Sequence, residues 1–547
     1  MTSFAAVYQM MKRLTEVFDK ITLDDIKDKT CIRDIAQTIK ERYVTPEGYS
    51  FPLMDFQETL FYHSKSFIRN EPTGLSCYII CRTQLKGFFD PACWDKTLNH
   101  IINCHPLLHS ILSEESDKPE MITLPEYPTF KSSYEDITSM NKEQQETFFL
   151  QKDEKDHDHR FDLKEYPLFY CNIYKTGEDE HELIIHIDHQ IIDGFSFFQF
   201  LQELTSTYDQ FIAGKEITVE QEKGLTFSDY VFVERFRRQT KRYQNAMDFA
   251  LKVFKDLPEK ISIPTKCQPS LINKVHFNTL HTELDSLLMN KVLEISSHTS
   301  GICLNSLLMA CYFKLMNLWS GQNDLIINMP VFNREQHLPN AKNIIGSFLD
   351  IFPVRIQTSP QEPIVSIARK IEQFVRTMLE YPISSIELSR KIAEQEGLKQ
   401  SSLSAIIFSN SINMLPKGIS HSSRYLTIGA PKVQTGAPGT YIDLVMYTWE
   451  NKWCFDWNYV RELFDAEYIQ LLSEQFTSML NQLVDDTNTK GYEERSCSNI
   501  LPLFYIKLLE QTNKTEHAYP LKTIYEQISN TVDLYPNSYP NQNIIPT

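Results

Sequence analysis

The chain has 547 residues, 42% hydrophobic and 12% aromatic, which is room for roughly three to four folding units and excludes wholesale disorder. Its 54 basic and 71 acidic side chains give a net charge of −17, which argues against nucleic acid or an anionic membrane as the main partner. No run approaches the ~18 apolar residues of a bilayer span, and eleven scattered cysteines without zinc-like spacing predict reduced thiols, no metal and a cytoplasmic setting.

In chain order, Phe4, Val7, Met11, Leu14 and Phe18 fall three or four apart and predict one helical stripe. A second helix is expected after Thr30, and the turn-rich Thr45-Pro46-Glu47-Gly48 closes a small helical unit over 1–45. A mixed region follows over 50–223, with strands expected at Leu75–Cys81, Leu168–Tyr174 and Glu182–Asp188 and helices at Cys93–Leu108 and Phe195–Ile212. A second mixed region over 224–488 carries helices at Asn305–Trp319 and Ala466–Leu483 and strands at Asp324–Met329 and Ala405–Phe408. The expected fold class is α/β, as two lobes of similar size. Residues 489–547 read as a linker ending in an irregular tail.

The segment that carries chemistry is His186-Ile187-Asp188-His189-Gln190-Ile191-Ile192-Asp193-Gly194-Phe195-Ser196. A strand delivers His189 to a sheet edge, a short turn holds Asp193 and Gly194, and a helix begins at once. An imidazole in that place suits a general base or a hydrogen-bond donor to a tetrahedral intermediate. Gly194 lets backbone run close to a substrate, and Asp193 is placed to pin the loop by pairing with an arginine.

This stretch resembles the His-His-x-x-x-Asp-Gly signature of the condensation domains of nonribosomal peptide synthetases, with Asp188 at the first histidine. Phe51-Pro52-Leu53 through Gln57 and Phe61 resembles that family's opening motif, and His105-Pro106-Leu107-Leu108 its Arg-His-x-x-Leu-Arg helix end. Phe161-Asp162-Leu163 to Pro167-Leu168 fits the segment before the catalytic strand, and Thr226 to Tyr230 the crossover between lobes. Ser320 to Asp324 with Pro330 and Arg334 fits the strand before its latch, and Ile345-Gly346-Ser347-Phe348-Leu349-Asp350 to Arg355 resembles its Ile-Gly-x-Phe-Val-Asn-x-x-x-x-Arg motif.

The resemblance implies two chloramphenicol-acetyltransferase-like lobes forming a V around a tunnel. Donor and acceptor groups would arrive on the phosphopantetheine arms of two peptidyl carrier domains, with no cofactor bound and no metal. His189 would act as base or orienting group in amide-bond formation. Asp193 and Gly194 would complete the catalytic motif, with Asp188 and Ser196 in supporting places. Asp193 would form a salt bridge with Arg334, or failing that with Arg355. Residues 1–45 look like the second half of a carrier domain, with Ser3 as a doubtful phosphopantetheine site, and 489–547 like the approach to an adenylation domain, a further possible partner. The alternatives are a degenerate relative that docks carriers or tailoring enzymes, and a free-standing acyl-CoA-dependent acyltransferase. The plant form of the latter carries Asp-Phe-Gly-Trp-Gly, which is absent here.

Overall fold

The computed structural model describes residues 14, 18, 21–26, 35, 38, 41–43, 48–68, 78–115, 118–217, 225–272, 275–299, 301–332, 334, 341–380, 383–397, 402–412, 425–436, 439–449 and 452–485. The chain divides into compact units Met1–Ser498 and Asn499–Thr547, and the described residues all belong to the first. Ser3, the 489–547 linker and most of the expected N-terminal helices lie outside them.

The first half contains β1 (Tyr49–Pro52), α1 (Asp55–Ile68), β2 (Tyr78–Gly87), α2 (Pro91–Cys104), β3 (Ser110–Ser113) and β4 (Glu120–Thr123). It continues with β5 (Ser133–Asp136), α3 (Lys142–Asp158), β6 (Phe169–Lys175), β7 (Glu180–Asp188) and α4 (Gly194–Ile212). Two helices, α5 (Phe227–Arg238) and α6 (Lys241–Val253), lead to β8 (Phe277–Leu284), α7 (Ser286–His298), α8 (Leu304–Ser320), β9 (Asp324–Phe332) and β10 (Leu349–Gln357). The rest is α9 (Ile364–Leu379), α10 (Ser385–Glu396), β11 (Ile406–Asn410), β12 (Leu426–Ile428), β13 (Lys432–Gly436), β14 (Ile442–Trp449), β15 (Lys452–Val460) and α11 (Ala466–Asp485).

Period-two patterning explains the first sheet. Along β7, Leu183, Ile185 and Ile187 point to one core, while Ile184 faces another with Tyr78, Ile80, Phe149 and Tyr174. Helix α2 starts sharply because Asp90 accepts the Cys93 N–H at 2.8 Å and Pro91 opens the first turn. Its Trp94, Leu98, Ile101 and Ile102 join Phe197, Leu201 and Leu204 of α4 in the same core as Ile185. The helix expected at Cys93–Leu108 ends at Cys104, where Pro106 cannot continue the α pattern and a 3₁₀ turn follows.

The second sheet has the order β10-β9-β11-β14-β15-β8. The first has the order β12-β2-β7-β6-β5, with β13 also paired to β2. Strands β12 and β13 therefore come from the second half of the chain and complete the sheet of the first. Helix α5 crosses in the same sense, since Phe227, Tyr230, Val231 and Phe232 are buried in the first core. Of the N-terminal unit, Phe18 and Tyr43 pack on Phe232, with ring centres 4.8 and 5.0 Å away.

Candidate active site

Strand β7 lies between β2 and β6, with Tyr78 opposite Asp188 and Tyr170 opposite His186. It ends at Asp188, and His189 opens the turn into α4. Asp188 builds that turn: its carboxylate accepts the Gln190 N–H at 2.9 Å and its carbonyl accepts the Ile191 N–H at 3.2 Å. Burial pushes the Asp188 carboxyl up to about 7, opposed by the Gln190 hydrogen bond and the Arg160 guanidinium. An aspartate at this position thus has a backbone partner of its own.

His189 is 6% exposed, and its ring meets the ring of Phe56 edge-on at 5.3 Å. Burial holds its basicity below the ordinary histidine range, partly offset by Asp193 and by the carbonyls of His189 and Ile192. The imidazole is therefore neutral at neutral pH, the form that can accept a proton.

Helix α1 is fastened beside this ring from two sides. The Gln57 side-chain amide donates to the Gln190 carbonyl at 2.7 Å, and the Gln190 amide donates back to the Gln57 carbonyl at 3.0 Å. Two residues earlier, Asp55 pairs with Arg238 at 2.7 Å and accepts the Ser384 hydroxyl. Phe56 lies between these anchors, so its place against His189 is set by residues from α1, α5 and the start of α10.

Asp193 caps α4 by accepting the Ser196 N–H at 2.7 Å. The same oxygen meets Arg334 at 2.8 Å, while the other accepts the Phe348 N–H at 2.9 Å. Arg334 also donates to the Ile344 carbonyl at 2.7 Å and lies over the rings of Phe195 and Phe348. Ser196 donates to the Gly346 carbonyl and accepts its N–H, at 2.8 and 2.9 Å. Asp193 and Ser196 are fully buried and Arg334 is nearly so. Gly346 is required by packing, because a Cβ there would sit 2.5 Å from the ring of Phe227.

Of the two arginines offered as partners of Asp193, the first, Arg334, is the one the structure places there. Both Asp193 oxygens have partners within the protein, as expected of the structural half of a salt bridge. Arg355 is not its partner; it pairs with Asp324 at 2.8 Å and donates to the carbonyls of Lys255 and Asp256, tying β10 to β9 and to the loop after α6. No neighbour lies within 4 Å of a Cβ placed on Gly194, so the fold itself does not demand glycine there. Asp350, half-buried on β10, accepts the Ser385 N–H at 2.7 Å and so holds the start of α10. The roles of Phe56, Gln57 and Gln190 were not read from sequence, although Gln57 belongs to the opening motif.

The strand-end histidine, the capped helix behind it and the two strands that the second half lends to the first sheet fit a two-lobed acyltransferase, and the comparisons give the class. The family model described as "Condensation domain" matches residues 49–499, and the chain belongs to that family. Condensation domains are the acyltransferases that form amide bonds in nonribosomal peptide synthesis. Bacitracin synthase 1 of Bacillus licheniformis is 24% identical over 442 residues, a match taking in 80% of this chain and 8% of that synthase. The EpoB cyclization-docking bidomain of Sorangium cellulosum superposes with a TM-score of 0.71 at 17% identity, covering 85% of this chain and 94% of that one. The first condensation domain of the calcium-dependent antibiotic synthetase gives 0.68 at 15% identity, covering 83% and 99%. Among the described residues no helix is long and apolar enough to cross a membrane.

Proposed function

We propose that this chain joins a donor acyl group to an acceptor amino group, each delivered as a thioester on the phosphopantetheine arm of a carrier domain. The observation that carries the reading is a neutral, buried His189 fixed at the end of β7 by Phe56 and the paired Gln57 and Gln190. In the reaction the acceptor nitrogen attacks the donor thioester carbonyl, forming the C–N bond and breaking the C–S bond. The imidazole takes or orients the proton that the amine loses, and the departing thiolate receives a proton in turn. The protein needs no further cofactor for these steps. Purified chain incubated with donor-loaded and acceptor-loaded carriers should yield an amide on the acceptor carrier, read by intact mass. Carriers that bind without transfer would favour a docking-only role.

A second reading has one observation in its favour. The Sorangium neighbour is a cyclization-docking bidomain, and here Asp188 holds a carboxyl raised to about 7, available as an acid near neutrality. If the acceptor carries a side-chain thiol or hydroxyl, addition to the new amide carbonyl and loss of water would close a five-membered ring. The same assay with a cysteinyl acceptor separates the two, since ring closure gives a product lighter by one water.

A further inference from the structure

The edge strand β8 pairs with β15, placing Glu283 opposite Cys454 and His281 opposite Asp456. Opposed residues two apart share one face of a sheet, so the four side chains lie together although 173 residues (454 − 281) separate the outermost ligands. One donor atom from each of His281, Glu283 and Cys454 lies within 4.8 Å of the others. His281 Nδ1 lies 2.6 Å from the fully buried Asp456; with Nδ1–H donating there, the neutral ring carries its lone pair on Nε2, 3.9 Å from Glu283 Oε1. Asp456 is itself held by the Tyr447 hydroxyl at 3.1 Å. Lys452 engages the other Glu283 oxygen, Oε2, at 2.6 Å, so Oε1 is left on the side of the imidazole.

We propose that His281, Glu283 and Cys454 bind a divalent cation of borderline softness, Zn²⁺ by preference, with a fourth position open to solvent. One imidazole nitrogen, one thiolate and one carboxylate suit Zn²⁺ better than the hard cations, which prefer oxygen alone. A buried carboxylate behind the imidazole is the usual support of a metal-bound histidine, fixing its tautomer and raising its basicity. Burial holds the Cys454 thiol protonated, up to about 12, and a bound cation displaces that proton as the sulfur–metal bond forms. His281 is partly exposed and Glu283 more so, which gives a path from solvent. The site would clip the edge strand to its neighbour on the face where β13 passes, since the Val433 backbone also hydrogen-bonds to Asp456. Its role would be structural, tying β8 to β15.

Titration of the full metal-free chain with Co²⁺ tests this. The expected result is one equivalent of tetrahedral Co²⁺ with visible d–d bands and a near-ultraviolet thiolate charge-transfer band, displaced by Zn²⁺. Cys454→Ser, checked for fold by circular dichroism, should lose the charge-transfer band. Asp456→Asn should weaken Co²⁺ binding roughly 10–100-fold, and Zn²⁺ should raise the melting temperature of the parent but not of His281→Gln. A charge-transfer band that survives in Cys454→Ser, or octahedral Co²⁺ without such a band in the parent, would overturn the assignment.

Discussion

The two ends of the eleven-residue segment from His186 to Ser196 differ in how fully they are satisfied. At the Ser196 end, Asp193, Ser196, Arg334 and Gly346 form a closed polar network in which each named group has partners within the protein. At the other end, burial has moved Asp188 and His189 away from their ordinary protonation, and among the described residues Phe56 is the aromatic neighbour of the His189 ring. A network bonded mainly to itself holds geometry and has little left to offer a substrate, Arg334 Nε being its one side-chain atom without a partner. A perturbed, sparsely bonded imidazole has that capacity, and the network four residues on keeps it in place.

Breaking the closed end should have the largest effect. Asp193→Ala strands the Arg334 guanidinium in the interior, and removal of one member of a buried pair costs about 3–5 kcal/mol. Denaturant unfolding should show that loss, with transfer activity falling alongside it. Arg334→Met with Asp193→Asn together should recover part of the stability, because no buried charge is then unpaired.

Breaking the open end should separate chemistry from folding. His189→Ala should lower single-turnover amide formation by about 10²–10⁴-fold, the usual contribution of a positioned acid or base. Its unfolding free energy should stay within about 2 kcal/mol of the parent. In the parent the rate should fall as pH is lowered through the depressed histidine pKa, because protonation removes the base. A variant that keeps its rate would take His189 out of the mechanism.

Asp188→Asn sharpens the comparison at smaller scale. The folded pKa of about 7 lies above the ordinary 3.8, so the folded state retains a proton that the unfolded chain has released. Stability contributed by this group is therefore full below about 3.8 and is lost as pH rises to about 7. A difference of about three in pKa corresponds to an upper bound of about 4 kcal/mol. Asparagine keeps an acceptor for the Gln190 N–H and cannot ionise. Urea unfolding at pH 5 and pH 7 should show a smaller drop for the variant than for the parent. The comparison must be between the two proteins, since Asp350 and Asp443, also raised to about 6, act in the same direction in both.

Much of this site was legible in the sequence because its chemistry is local. The order of strand, turn and helix around His189 follows from an apolar run, an Asp-Gly pair and a second apolar run with helical spacing. The Asp193–Arg334 bridge was legible only through the family resemblance, for no local pattern joins residues 141 apart. Periodicity could not reveal that β12 and β13 leave their own half to extend the first sheet, since strand pairing partners are set by tertiary packing. The same limit hid the Gln57–Gln190 exchange and the His281, Glu283 and Cys454 group. Residue spacing finds ligands on one turn or one hairpin, and these ligands meet only when the second sheet closes.

Gly194→Ala offers the smallest structural change and the most direct test of where the substrate runs. Gly194 is the first residue of α4, its φ lies outside the left-handed region, and a Cβ there would meet nothing within 4 Å. Alanine also has a better helix propensity than glycine by about 1 kcal/mol in helix interiors, with less gained at a terminus. Stability should therefore be unchanged or slightly raised. The open space beside Gly194, one turn from His189, is where the motif would bring the reacting groups past the backbone. An added methyl should then raise the apparent KM for the loaded carriers or lower turnover several-fold in a protein as stable as the parent. If stability and turnover both stay unchanged, the glycine does not border the substrate path.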